Sequence, residues 1–281
     1  MFTAIKNILG FLLYNWGRII NHKKLDVLSL YFHDPTYDAF ERIVKWLVRH
    51  HYSFVSADAL VSYIKGEGIL PRKSVYISFD DGWKSNIKLL PLIEKYKIPV
   101  TIFVASEPLS SGNYWWEYAK ASGGYSKVKD FKALNEKVFV SELDSIKKTM
   151  KLERSSMTVN ELVDLSSHPL IDIQSHTHSH PILIHLSEES LDFELTHSKQ
   201  VINQIISKEI DKFSYPNGSY TQREKDYVKK YYKCAFSTIQ SYPAVGGDLY
   251  EIPRIALTDD YWSNLAKIVG AWSLIRRLKQ I

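Results

Sequence analysis

Residues 73–82 read Lys73-Ser74-Val75-Tyr76-Ile77-Ser78-Phe79-Asp80-Asp81-Gly82, and the fold follows from how this stretch is read. Apolar and β-branched residues alternate up to Phe79, which predicts a strand. Two adjacent carboxylates and a glycine follow at its carboxyl end. Comparable runs predict strands at 25–32, 99–105, 170–174, 212–215 and 234–238. Between them lie helical patterns. Residues 37–51 place Phe40, Ile43, Val44, Leu47 and Val48 on one face, and 56–65, 86–96, 188–206 and 223–232 read as further helices. Thr158 with Glu161, and Thr221 with Glu224, have capping-box spacing and mark helix starts. Repeated strand–helix units with near-continuous apolar strands predict a parallel sheet covered by helices, close in count to an α/β barrel.

The pattern breaks at 106–156, which reads as an insertion on a single barrel domain spanning 25–281. At 281 residues the chain has length for two domains, but barrels of this class use 200–250 as one. A net charge of +5, dispersed along the chain, gives no footprint for nucleic acid. The lone Cys234 excludes an internal disulfide and any paired-cysteine metal site, and points to a reducing compartment. Residues 1–24 predict an amphipathic N-terminal segment with an apolar stripe of Phe2, Ile5, Leu9, Leu12 and Leu13. The uncharged run from Asn7 to Gly17 is too short to span a bilayer and lacks a small-x-small cleavage site. A C-terminal helix over 262–281 carries Trp262, Leu265, Val269, Trp272, Ile275 and Leu278 on one face, with Arg276, Arg277 and Lys279 at its end. A cytoplasmic protein is expected, with the C-terminal helix packed on the barrel and the N-terminal one packed on the core or lying on the surface; the alternatives are export for the N-terminal segment and peripheral contact of both helices with an anionic membrane.

In such folds catalytic groups sit at the carboxyl ends of strands. Asp80 and Asp81 repel unless a cation lies beside them, although Asp-Gly is also a common turn. The strand at 170–174 runs on into Ser175-His176-Thr177-His178-Ser179-His180, and one helical turn would aim His176 and His180 at one point. With a carboxylate they make a three-ligand site with an open position. His178, between them, faces elsewhere. The strand at 212–215 runs into Pro216-Asn217-Gly218, a turn that can present backbone N–H groups to an anion.

SFDDG (78–82), SHTHSHPIL (175–183) and FSYPNG (213–218), in this order, resemble the polysaccharide deacetylase family (NodB-like, carbohydrate esterase family four). The resemblance runs from about Leu25 to Leu257 and includes Tyr114-Trp115-Trp116. It implies a distorted (β/α)7 barrel and metal-dependent removal of N- or O-acetyl groups from an acetylated carbohydrate. It casts Asp80 as catalytic base and Asp81, His176 and His180 as ligands of a divalent metal, zinc first, with cobalt, nickel or iron as substitutes. Asn217 matches the position whose backbone N–H assists the oxyanion. Two departures stand out. Ser214 replaces the arginine that usually holds the base; Arg254 is the candidate substitute, with a surface ion pair as its alternative reading. No histidine follows His197, so the usual general acid is missing and His33, at the end of the first strand, is the candidate. The rivals are an inactive carbohydrate-binding relic and an amidohydrolase-type barrel, which would need His185 or His197 in its site.

Overall fold

The computed structural model describes residues 2–20 and 26–271. Its described residues divide into two compact units, one of residues 2–20, 26–79, 85–101 and 236–271, the other of 80–84 and 102–235.

The first unit is built on β1 (Val27–Phe32) and β3 (Ser74–Phe79), paired in parallel along all six residues from Val27↔Ser74 to Phe32↔Phe79. Every residue of both strands is buried, Ser74 and Ser78 included, so the alternation read in β3 does not mark a solvent face. β2 (Ser53–Phe54) adds to β3, and β8 (Ile255–Ala256) adds to β1, both in parallel. Phe236 makes a parallel bridge with Ile252, just ahead of β8. Phe32, Phe40 and Phe79 pack ring to ring at 5.5–5.9 Å beneath α2 (Tyr37–Arg49), whose cap Thr36 accepts from Ala39 N. α3 (Ala57–Lys65) starts at Ser56 and stops at Gly66, which takes the left-handed conformation at φ 76°. The helix expected over 86–96 begins instead as a 3₁₀ turn, Lys84–Leu89, before α4 (Leu90–Tyr96). Pro91 accounts for the change, because it has no N–H to give and its ring crowds the carbonyl one turn back.

α1 (Phe2–Ile20) packs on α11 (Tyr261–Ile268) within the same unit. The seam is a face of small residues and not the leucine stripe. Gly10 and Gly17 face α11 so closely that a Cβ would lie 2.7 Å from Trp262 Cβ and 2.5 Å from Val269 Cγ2. Tyr14, on the same side, accepts from Trp46 Nε1 at 3.1 Å. Leu9 and Leu12 are exposed and Leu13 is half-buried, while Phe2 and Ile5 fall outside the residues whose side chains are described. The long C-terminal helix expected over 262–281 is also interrupted, because Gly270 turns left-handed at φ 70°. Trp272 and all that follows, including the predicted basic tip, lie outside the described residues.

The second unit takes the end of β4 (Val100–Val104), then β5 (Ile171–Ser175), β6 (Lys212–Ser214) and the start of β7 (Cys234–Phe236), hydrogen-bonded in chain order. Residues 106–156 form α5 (Pro108–Ser111), α6 (Trp115–Ala133, kinked at Gly123 and Gly124) and α7 (Glu136–Thr149). These pack through Trp115, Phe131 and Phe139 onto Ile182. α8 (Val159–Ser166) and α10 (Gln222–Tyr231) begin with the two capping boxes read from sequence, and α9 (Glu188–Ile206) has its expected bounds.

Candidate metal centre

Asp80 and Asp81 follow β3 directly, and both are buried, at 2% and 3% exposure. Asp81 is left-handed at φ 76° and Gly82 at φ 90°, so the chain reverses sharply and drives the Asp81 carboxylate inward. A Cβ on Gly82 would meet Val104 Cγ1 at 3.1 Å, so glycine is needed there on two counts. His176 and His180 are not on a helical turn. They flank an irregular loop in which Thr177 (φ 70°) and His180 (φ 57°) are left-handed. This corrects the sequence expectation: the four-residue spacing does bring both rings to one carboxylate, but through two reversals of the backbone.

Such conformations cost about 1–3 kcal/mol each in non-glycine residues, and the loop is tied down to match. Buried Glu194 accepts from the backbone N–H of His178 and Ser179, both at 2.8 Å, and from Ser179 Oγ at 2.6 Å. Burial raises the Glu194 carboxyl above its ordinary range, against the pull of those donors. Trp115 Nε1 donates to His180 O at 2.8 Å, and His176 N donates to Val104 O at 2.9 Å. At about 0.5–1.5 kcal/mol net per hydrogen bond, this set is large enough to offset the strain.

Asp81 Oδ1 lies 3.4 Å from His176 Nε2 and 3.3 Å from His180 Nε2. Two donors each about 2.0–2.1 Å from a tetrahedral zinc ion stand about 3.3–3.4 Å apart, so both Asp–His separations fit such an ion. His176 Nδ1 lies 2.7 Å from Ser214 O. A carbonyl can only accept, so Nδ1 carries a proton and Nε2 is the nitrogen left to bind an ion. Burial, opposed by Asp81, lowers the His180 pKa and favours its neutral, ligating form. The His180 Nδ1 is buried with no hydrogen-bond partner. A buried carboxylate facing two imidazole nitrogens suits a divalent cation. Among the described residues this is the one set of three or more such side chains close enough to hold an ion.

Aromatic side chains fix the remaining oxygen and wall the site. Trp83 Nε1 donates to Asp81 Oδ2 at 2.8 Å, and Tyr114 Oη donates to Asp81 O at 3.2 Å. Trp116 stands edge-on to His180 at 4.5 Å and stacks on Tyr114, also at 4.5 Å. Ser214 Oγ, in the place expected for arginine, donates to Asp80 Oδ2 at 3.3 Å. Asn217 sits exposed in its 3₁₀ turn with φ 55°. His178 points away to Ser106 Oγ (2.8 Å) and His197. His185 contacts Lys132 O. Neither His185 nor His197 joins the three ligands, which removes the amidohydrolase arrangement.

His33 and Arg254 belong to the first unit. His33 is exposed at the end of β1, its carbonyl accepting from Asn86 Nδ2 at 2.9 Å. Arg254 is fully buried, which rules out the surface ion pair. Its guanidinium donates to Ser78 Oγ (3.0 Å) and Ser237 O (3.2 Å) and lies 4.2 Å over the Tyr31 ring. Sequence reasoning missed Trp83 and Glu194. The tryptophan beside Asp-Asp-Gly was a signal for the first, and no local signal existed for the second.

Residues 67–233, more than half of the chain, match the family described as polysaccharide deacetylase. The poly-beta-1,6-N-acetyl-D-glucosamine N-deacetylase of Staphylococcus aureus is 25% identical over 238 residues, covering 81% of this chain and 69% of that protein. Among solved structures, IcaB from Ammonifex degensii superposes with TM-score 0.66 at 18% identity, covering 87% of this chain and 97% of its own. The Streptococcus pyogenes deacetylase PplD in complex with acetate gives TM-score 0.64 at 16% identity, over 88% and 98%. These two share the fold and bear out the expected α/β barrel class. With the motif order, the Asp81–His176–His180 geometry and the matched span in agreement, the chain belongs to the polysaccharide deacetylase family.

Proposed function

We propose that this protein hydrolyses the N-acetyl groups of a poly-N-acetylglucosamine-type glycan during surface polysaccharide biosynthesis, releasing acetate and a free amine. One observation carries the reading: a buried three-ligand set, Asp81, His176 and His180, with a second buried carboxylate, Asp80, next to it in the chain. The curated relatives named above act on such a polymer by name. The two-histidine, one-carboxylate set fits zinc, and cobalt, nickel or iron share its donor preferences. A divalent cation held there supplies Lewis-acid activation of the acetamide carbonyl and of water.

The chain's own residues supply the rest. Asp80 takes a proton from the attacking water, with Ser214 Oγ orienting the carboxylate. The left-handed turn at Asn217 offers its backbone N–H to the oxyanion. For the proton taken up by the departing amine, His33 keeps the candidacy read from the sequence. Half-buried Trp83 and Trp116 give a sugar ring a surface to stack on. The test is acetate release from N-acetylglucosamine oligomers, assayed as purified, after chelation and with zinc restored. We expect release that chelation abolishes and zinc restores. No release at any zinc level would overturn the assignment.

A further inference from the structure

At 100° per residue, Leu9, Leu12, Leu13, Trp16 and Ile19 occupy one arc of α1 about 120° wide. The opposite side holds Gly10, Tyr14 and Gly17, all buried. In the outward arc Leu12 is 58% exposed, Ile19 76%, Leu9 50% and Trp16 38%. Phe11, outside this arc, packs edge-on against Trp262 at 5.1 Å. Thus the side of the helix turned away from the protein is apolar along its described length, the reverse of an ordinary surface helix. Contiguous apolar surface of this kind marks an interaction site.

The charge around it selects the occupant. Residues 1–25 contain Lys6, Arg18, Lys23 and Lys24 and no carboxylate side chain. An apolar arc within a purely basic segment, with a tryptophan at its centre, has the chemistry of the headgroup–acyl boundary of an anionic bilayer. Among the described residues no helix is long and apolar enough to cross a membrane, and one side of α1 is already committed to α11.

We propose that α1 seats the protein on an anionic lipid surface, lying in the plane of the bilayer with Leu9, Leu12, Trp16 and Ile19 in the acyl boundary. This rests on α1 alone and stands apart from the reading of the metal centre. The full chain is co-sedimented with vesicles of equal parts phosphatidylglycerol and phosphatidylcholine, and with phosphatidylcholine alone, at low and high salt. The expected result is binding to the anionic vesicles that weakens with salt. The double variant Leu12→Gln/Ile19→Gln should reduce partitioning by about tenfold or more. Its thermal melt and its acetate release from soluble oligomers should match wild type, because both side chains face outward. Absence of binding at low salt, or equal binding by the double variant, would overturn the proposal. So would a dimer seen by light scattering that the double variant abolishes without any vesicle binding, which would assign the face to a second copy.

Discussion

Replacing Trp83 by phenylalanine isolates one hydrogen bond at the metal centre. The indole N–H donates to Asp81 Oδ2 at 2.8 Å, while Oδ1 of the same carboxylate faces both histidines. The bond therefore decides which oxygen is directed at the ion and stops the carboxylate rotating. Phenylalanine keeps a ring against Tyr114, whose centroid lies 4.6 Å from that of Trp83, so packing changes little and the donor is what is lost. A partner that orients a metal ligand is worth about 10–100-fold in metal affinity, or about 1.4–2.8 kcal/mol. That agrees with the ~1.5–3 kcal/mol of a hydrogen bond to a charged group. The assay is zinc competition against a chromophoric chelator at fixed pH, with acetate release measured in parallel. Zinc affinity should fall within that range, and turnover should recover when zinc is raised to saturation. An affinity within twofold of wild type in a variant that melts normally would refute the orienting role. Turnover that stays low at saturating zinc would place the loss in the sugar-stacking surface of the indole and not in the orientation of Asp81.

Asp80→Asn should abolish acetate release while elemental analysis finds zinc bound as in wild type, since Asp80 is assigned as base and not as ligand; equal loss of zinc would make it a ligand. His176→Ala and His180→Ala should each lose metal and activity together, because two remaining protein ligands compete poorly with water; a full equivalent of metal in either would detach that histidine from the site. Glu224 gives a pH prediction. Burial raises its pKa, but hydrogen bonds from Thr221 Oγ1 (2.7 Å), Thr221 N (2.6 Å) and Arg223 (2.6 Å) outweigh burial and leave it lowered. A carboxyl with a depressed folded-state pKa stabilises above its unfolded value and loses that contribution as pH falls through the folded one. Glu224→Gln should thus cost about 1 kcal/mol at neutral pH, the scale of a lost cap, and the gap to wild type should close in acid. A gap independent of pH in paired thermal melts would show that only packing was lost.

The parts of the site legible in the sequence are those written as local pattern. β3 announces itself by its apolar run, the two carboxylates at its end stand out against it, and the capping boxes of α8 and α10 declare their helix starts. The backbone between His176 and His180 was not legible. Thr177, whose branched Cβ disfavours it, and His180 both adopt left-handed conformations that no local pattern announces, and a helical turn was the simplest way to converge two side chains four apart. What enforces the actual path comes from distant segments: Glu194 from α9, Trp115 from α6 and Val104 from β4. The ligand spacing is thus a property of the chain, whereas the ligand geometry is a property of the packed second unit.

α1 separates the same two levels. Its leucine periodicity predicted an amphipathic helix correctly, yet periodicity says only that a helix has two unlike faces, not which one the protein keeps. The choice fell to Gly10 and Gly17, because a helix with glycines along one side can approach a neighbour until backbone meets side chain, and Trp262 and Val269 fill the space. Burying the leucine stripe on α11 instead would remove apolar area from water but would hold the two helices apart and lose that close contact. Where the small-residue face is the one retained, the apolar face needs another reason to exist. In a segment whose only charged side chains are basic, the lipid surface proposed above suits both the outward apolar face and the charge, while the glycine face keeps its place on α11.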